Sequence, residues 1–251
     1  MMIGTSPWRI ILLLAALGAA KCPADPAAAD VESILERIED RGAGVNDLRC
    51  RVIYMVEDRI ADDKVIREGE ILYKKKEPNP VFMITFTKTI QEGTVSRLKS
   101  WWLFDGRWLY EAKQRSKSII KRDLAPSGER IDLFDLEKAP FPIPFGQKKD
   151  KILANFDVRL GPGGANAPPD TDHLICTPKP EGRFAKDYTK LEFFVDRSLN
   201  LPTKIVMTEN PPDKVITATF PDLSNGSLNT NLADSIFRLP RETKRYAVET
   251  E

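Results

Sequence analysis

The chain has 251 residues, with 38 basic and 37 acidic side chains and a formal net charge of +1. This balance excludes nucleic-acid or anionic-membrane binding that is driven by bulk charge. A single histidine and three cysteines, none of them in a CxxC pair, exclude the common Cys/His metal sites.

The N-terminus has the pattern of an export signal. Arg9 precedes an apolar run over 10–20 that is too short to span a bilayer, and small residues follow it. Cleavage after Ala20 and cleavage after Ala29 both satisfy the small-x-small rule, so the cleavage site stays open. The predicted organisation is a signal peptide with a short spacer over 1–29, a single domain over 30–242 and a loose C-terminal tail over 243–251.

The three cysteines have different expected roles. Cys22 follows the apolar run, but Lys21 stands where an acylated lipoprotein signal carries a small residue, which disfavours a lipid anchor. Cys50 and Cys176 both lie in strand-like segments. Export permits a disulfide between them, and two separate buried thiols are an equally open alternative.

The first element of the exported part is a predicted helix over 31–41. Asp30 is a suitable N-cap, and Gly42 ends the pattern. The apolar residues recur at helical spacing, at Val31, Ile34, Leu35 and Ile38. We expect this helix to pack on a sheet.

Strand patterns dominate the remainder of the chain. Apolar and polar residues alternate in runs that polar turns separate. The predicted strands before the middle of the chain cover 47–60, 64–75, 81–89, 101–104, 107–110 and 116–122. Those after it cover 156–160, 173–177, 191–195, 201–208 and 215–220. One continuous antiparallel sheet is the simplest account.

The clearest local signal is a tryptophan-rich hairpin. Asp105-Gly106 between apolar runs predicts a two-residue turn, which pairs Phe104 with Arg107. One face of the hairpin then carries Trp101, Leu103, Trp108 and Tyr110. Such a face is too apolar for water, so we expect another part of the chain to cover it.

A proline-rich segment is the expected cover. A short helix over 130–136 and another over 148–156 flank a ribbon in which alternate prolines prevent central-strand pairing. The ribbon displays Phe141, Ile143 and Phe145.

Catalytic constellations are missing from the sequence. His173, the only imidazole, lies at the polar entry to a strand, where an ordinary surface residue is expected. The glycines at 161–164 lack the lysine and helix of a phosphate loop. We therefore predict neither enzymatic activity nor a cofactor.

After the first helix, six short motifs follow one another along the chain, at 68–75, 78–86, 105–110, 174–179, 195–196 and 237–240. Each motif is weak alone, but the ordered series, with the first helix, extends from residue 31 to about residue 242. In this order the motifs resemble those of the superfamily of LolA, the bacterial periplasmic lipoprotein carrier.

The resemblance implies a mainly β, α+β fold. Its large curved antiparallel sheet is an incomplete barrel of about eleven strands, and helices plug its concave face. In the carrier, a cavity between sheet and helices holds lipoprotein acyl chains. The corresponding cavity residues here are Phe82, Ile84, Phe86, Trp101, Leu103, Trp108 and Tyr110, with Phe141, Ile143 and Phe145 as a lid. Lys75 matches a basic residue that holds the closed lid, although the family residue is arginine.

Three hypotheses for the function follow. The first is an exported, non-enzymatic periplasmic binder or carrier of lipid or acylated lipoprotein, monomeric and without a nucleic-acid partner. The alternative is an envelope stress sensor or protein-interaction module on the same scaffold. That module would grip an inner- or outer-membrane partner protein through the lid residues. The third is a solid aromatic core with no cavity.

Overall fold

The computed structural model describes residues 30–126, 146, 148–162 and 167–251. The predicted signal peptide and the lid residues Phe141, Ile143 and Phe145 lie outside the described residues. Their assignments stay predictions.

The first helix, α1 (Val31–Ala43), confirms the sequence pattern. The Asp30 carboxylate accepts a hydrogen bond of 2.7 Å from the Ser33 backbone N–H at the helix start. Ile34, Leu35 and Ile38 are buried, as the helical spacing predicted. The short helix α2 (Lys149–Asn155) contacts α1 and buries Ile152.

Strands make up most of the described chain. The first seven are β1 (Asp47–Asp58), β2 (Asp63–Lys74), β3 (Val81–Gln91), β4 (Thr94–Ser96), β5 (Ser100–Phe104), β6 (Trp108–Lys113) and β7 (Ser118–Asp123). The later ones are β8 (Phe156–Leu160), β9 (Thr171–Pro178), β10 (Tyr188–Asp196), β11 (Leu201–Glu209), β12 (Lys214–Thr219) and β13 (Ala247–Thr250).

All thirteen described strands belong to one open sheet. Its order is β13-β7-β6-β5-β3-β2-β1-β12-β11-β10-β9-β8, and the short β4 pairs with β3. The pairings are antiparallel except that of β13 with β7. The predicted mainly β, unclosed architecture is confirmed.

The C-terminus differs from the expected loose tail over 243–251. Ala247 pairs with Ser118 and Thr250 with Lys121, so β13 extends the sheet beyond β7. The last residue adds an ion pair of Glu251 with Arg122. Exposed residues without apolar alternation hid this strand from the sequence analysis, because only the partner strand defines it.

Side chains alternate between two faces of the sheet. The helix face, which α1 covers, carries among others Val52, Tyr54, Ile71, Phe82, Ile84, Phe86 and Phe104. The opposite face carries a second cluster of Leu72, Met83, Trp101, Leu103, Ala112 and Ile119.

The turn of the tryptophan hairpin is longer than predicted. Phe104 pairs with Leu109 and Leu103 with Tyr110, which leaves a four-residue loop over 105–108. The Asp105 carboxylate stabilises this loop by accepting hydrogen bonds from the backbone N–H groups of Arg107 (3.0 Å) and Trp108 (2.8 Å). The predicted register is therefore wrong by two residues. An even shift leaves each side chain on its predicted face.

Candidate functional site

A groove of about 620 Å³ opens on the helix face, where β2 begins and β3 ends. The ends of β5 and β6 complete its walls. Its lining residues are Val65, Arg67, Thr89, Gln91, Glu92, Thr94, Ser96, Leu98, Lys99, Ser100, Trp102, Glu111, Lys113 and Arg115. Most of them are polar, and the half-buried Trp102 is the largest apolar group among them.

Three aromatic rings meet where the groove joins the core. Trp102 lies edge-on to Phe86, with 5.5 Å between ring centroids, and edge-on to Tyr54, at 5.8 Å. Tyr54 and Phe86 are 6.1 Å apart and both are buried. Burial raises the pKa of the Tyr54 hydroxyl to about 12, so this group is neutral at physiological pH. Trp102 thus connects the groove to an uncharged aromatic part of the core.

A β-bulge decides which side chains reach the groove. Gly69 on β2 pairs with Phe86 on β3, whereas the preceding residue, Glu68, pairs with Lys88. Thr87 is therefore the extra residue on β3. The strands approach so closely here that a Cβ on Gly69 would lie 2.1 Å from the Thr85 carbonyl oxygen. Only glycine fits this position. Before the bulge, Phe82, Ile84 and Phe86 of β3 point to the helix face. After it, Thr89 and Gln91 do so instead.

The seven predicted cavity residues do not share one wall. Phe82, Ile84 and Phe86 lie on the helix face and are at most 1% exposed. The other four lie on the opposite face, at Trp101, Leu103, Trp108 and Tyr110. The expectation that all seven line one cavity is wrong, because β3 and β5 pair with Phe82 across from Phe104. Their ligand-binding role stays a prediction.

The C-terminal segment covers the apolar side of the hairpin. Leu232 is buried in the same cluster as Trp101 and Leu103. Partly buried apolar residues of this segment pack against the cluster, at Ile236, Phe237, Leu239 and Tyr246. The sequence analysis assigned this cover to the proline ribbon, which lies outside the described residues.

Buried hydrogen bonds hold the start of that segment. The carboxylate of Asp47, which is 4% exposed, accepts bonds from the backbone N–H groups of Thr230 (2.8 Å) and Asn231 (2.9 Å). It also accepts from the Thr230 hydroxyl at 3.0 Å. One carboxylate thereby ties the C-terminal segment to the beginning of β1.

Trp108 and Tyr110 stand at the edge of the opposite face. The Lys121 ammonium lies 3.7 Å from the Trp108 ring centroid and 5.6 Å from that of Tyr110. Both distances are in the cation–π range. The Tyr110 hydroxyl donates to Asp105 at 3.1 Å, and its pKa is raised to about 12 by partial burial and by that carboxylate. These rings already have polar partners of their own.

Lys75, the predicted lid-holding residue, is exposed. Its neighbours Lys74 and Lys76 instead each contact Asp234 at 2.7 Å. These two ammonium groups lower the pKa of the Asp234 carboxyl to about 2. The basic run at the end of β2 therefore binds the C-terminal segment, whereas the lid role of Lys75 stays a prediction.

The sequence analysis missed the residues that shape the groove. It gave no role to Trp102, Tyr54 or Arg67. The sequence did contain a signal for Tyr54, because alternation along β1 puts it on the same buried face as Cys50 and Val52. The bulge at Gly69, which turns Thr89 and Gln91 towards the groove, left no comparable signal.

His173, Cys50 and Cys176 are each packed inside the fold. The side chain of His173 is only 10% exposed, stacks on Phe194 at 4.3 Å and lies 3.1 Å from Glu192 Oε1. It is therefore not the surface residue that was expected.

Cys50 and Cys176 are separate buried thiols, and burial raises the pKa of each to about 12.

Two further findings concern the described part of the chain. Within it, no cluster of three or more His, Cys, Asp and Glu side chains is arranged to hold a metal ion. None of its helices has the length and apolar character needed to cross a membrane.

Comparison with known proteins gives matches only to solved structures. No family model and no curated protein matches the sequence. An uncharacterised conserved protein from Thermus thermophilus is 12% identical, with coverage of 88% of this chain and 98% of that one and a TM-score of 0.49. A LolA superfamily protein from Nitrosomonas europaea is 16% identical, with coverage of 84% and 99% and a TM-score of 0.40.

MucB, in the Pseudomonas aeruginosa MucA/MucB complex, is also similar. It is 15% identical, with a TM-score of 0.41, and the match covers 84% of this chain but 61% of that one. The matched structures thus include a member of the superfamily that the sequence resembles. At these identities and TM-scores the likenesses assign no function, which has to come from the chain's own residues.

Proposed function

We propose that the protein is an exported, non-enzymatic binder or carrier of lipid or acylated lipoprotein. It holds acyl chains on the helix face of its sheet, within the bacterial envelope. The observation that carries this proposal is the groove at Trp102, whose indole joins an open channel to the buried rings of Phe86 and Tyr54.

The groove suits a single acyl chain in size, and three apolar side chains in its mostly polar lining can contact such a chain. Its volume of about 620 Å³ lies within the range of small-molecule sites. Each methylene that leaves water for an apolar surface contributes about 0.8 kcal/mol. A chain laid along Val65, Leu98 and Trp102 would therefore bind reversibly, without a nucleotide, a metal or a covalent step.

The buried phenylalanines set the depth of this site. Phe82, Ile84 and Phe86 fill the core along β3 next to the groove and are at most 1% exposed. A guest therefore contacts Trp102 first. It reaches Phe86 only if the aromatic side chains change rotamer, so short chains should bind to the resting protein more readily than long ones.

Native mass spectrometry of protein purified from an exporting host tests the proposal. Wild-type protein should carry bound lipid, which organic extraction removes. Incubation of the extracted protein with fatty acid should then restore a bound ligand. Leu98→Ala removes an exposed apolar side chain (45%) from the groove, and Leu160→Ala removes a comparable one (41%) from β8. Lipid retention should fall for Leu98→Ala and persist for Leu160→Ala. Wild-type protein that is always empty and takes up no fatty acid would refute the proposal.

The alternative, a sensor or interaction module that grips a membrane partner, stays a prediction. Its expected contact residues Phe141, Ile143 and Phe145 lie outside the described residues. A Phe141→Ser/Phe145→Ser variant that loses a partner protein from envelope extracts, while its lipid binding is intact, would favour it.

A further inference from the structure

The rim of the groove carries an unusual set of cations. Arg67 on β2, Lys99 before β5, Lys113 on β6 and Arg115 after it all line the same cavity. They come from three separate stretches of chain and line one opening. On a protein whose basic and acidic residues number 38 and 37, such a local excess is not a consequence of composition.

These four cations have no carboxylate partner in the described part of the chain. Some other basic residues are paired, as Lys88 on β3 is with Glu68 at 2.8 Å and Arg107 in the hairpin loop is with Asp123 at 2.7 Å. By contrast, Arg67, Lys99, Lys113 and Arg115 make no side-chain hydrogen bond or ion pair among the described residues. Their ammonium and guanidinium groups are available to an anion.

The acidic residues of the lining do not neutralise them. Glu111 is already paired with Arg122 on β7. That leaves Glu92, at the exposed turn after β3, as the second acidic residue among the lining side chains. The lining, which includes Trp102, therefore carries four cations against two carboxylates, of which Glu111 is already paired.

We propose that this rim binds the anionic head group of a single-chain amphiphile, a carboxylate or a phosphate monoester, whose tail lies on Trp102. The inference rests on the proposed function and narrows it to acid-headed ligands in preference to neutral or zwitterionic ones. Arginine and lysine donors recognise phosphate and carboxylate oxygens by charge-assisted hydrogen bonds. An amphiphile of this kind matches both the charged rim and the indole of Trp102.

Competition against a fluorescent fatty-acid probe tests the head-group preference. The ligands are dodecyl phosphate, dodecanoate, dodecanol, dodecylphosphocholine and inorganic phosphate, each below its micelle concentration. Dodecyl phosphate and dodecanoate should bind wild-type protein about tenfold more tightly than dodecanol, a difference of about 1.4 kcal/mol. Raising the salt concentration should reduce this difference, because the rim is exposed to solvent.

Charge variants locate the effect. Lys113→Gln/Arg115→Gln should bring the affinity for dodecyl phosphate down to that for dodecanol when both ligands are measured on the same variant. Lys113→Arg/Arg115→Lys should restore the preference. Lys214→Gln/Lys244→Gln removes two exposed cations that do not line the groove and should behave as wild type. Matching urea midpoints show that each variant is folded.

Failure of the head-group inference is distinguishable from failure of the proposed function. Equal affinity for dodecanol and dodecyl phosphate would overturn the inference and leave the function intact. Inorganic phosphate that competes as well as dodecyl phosphate would also overturn it, because the site would then be one for free anions. If no ligand with an alkyl chain binds, the proposed function fails, and the inference fails with it.

Discussion

Replacing Trp101 or Trp102 by alanine should have opposite consequences, although the two residues are adjacent. Trp101 is 2% exposed and lies in the opposite-face cluster beneath the C-terminal segment. Tryptophan-to-alanine changes in a close-packed core cost about 3–5 kcal/mol. Since domains of this kind are stable by about 5–15 kcal/mol, Trp101→Ala should lose a large share of the free energy of unfolding.

Trp102 should contribute less to stability and more to binding. It is half-buried, and its described ring contacts include edge-on pairs with Phe86 and Tyr54. Each aromatic pair contributes about 0.5–1.5 kcal/mol, so the loss of both pairs costs about 1–3 kcal/mol. Because the indole lines the groove, Trp102→Ala should also abolish the retention of lipid.

Urea unfolding followed by far-ultraviolet circular dichroism separates these effects without relying on tryptophan fluorescence. Native mass spectrometry of the same samples, with added fatty acid, reports binding. We expect a much lower midpoint for Trp101→Ala, with lipid still bound at low temperature and without urea. We expect a smaller shift for Trp102→Ala, with no lipid bound. Loss of lipid in Trp101→Ala at an unchanged midpoint would refute this reasoning, because the ligand wall would then lie on the opposite face.

Three more predictions concern groups outside the groove. Asp47→Ala leaves at least two backbone donors of the C-terminal segment unpaired, at about 1–3 kcal/mol each, so thermal unfolding should shift down and proteolysis should begin in that segment. The Asp234 carboxyl, with its pKa lowered from 3.8 to about 2, should stabilise the fold fully above pH 3.8 and lose this effect as the pH falls through 2. Carboxyl NMR titration checks that value, and a normal value that Lys74→Met leaves unchanged would contradict it. Cys50 and Cys176, buried and with pKa values of about 12, should not react with a thiol reagent at pH 8 until the protein is unfolded, and rapid labelling of the native protein would disprove this.

Local pattern was sufficient for helix α1, for most of the strands and for the hairpin faces. Helix α1 follows from the Asp30 cap and the apolar stripe, both of which lie within a few turns of chain. The hairpin faces survived an error in turn length because alternation depends only on even or odd spacing. The turn itself was mispredicted, since the Asp105 carboxylate accepts two backbone hydrogen bonds and thereby favours a four-residue loop.

The pairing of strands that are far apart in the sequence could not be predicted from local pattern. Whether Phe82 and Trp101 share a face depends on how β3 and β5 align, and the connection through β4 does not fix that alignment locally. The pairing of β13 with β7 depends on residues more than a hundred positions apart. The rim cations escaped notice for a different reason: at strand ends they resemble ordinary solvated charges until the fold brings them around one opening.

The two faces of the sheet differ in how far the chain's own residues cover them. On the opposite face, Asp47 and Asp234 tie the C-terminal segment over Trp101 and Leu103, so this side is closed by the chain's own residues. On the helix face, the cations above Trp102 lack partners in the described part of the chain, and the groove there is open. Substitutions at the rim should therefore change ligand preference at little cost in stability, since exposed charges contribute about 0–1 kcal/mol each. A scaffold of this kind can acquire a new head-group specificity without rebuilding its core.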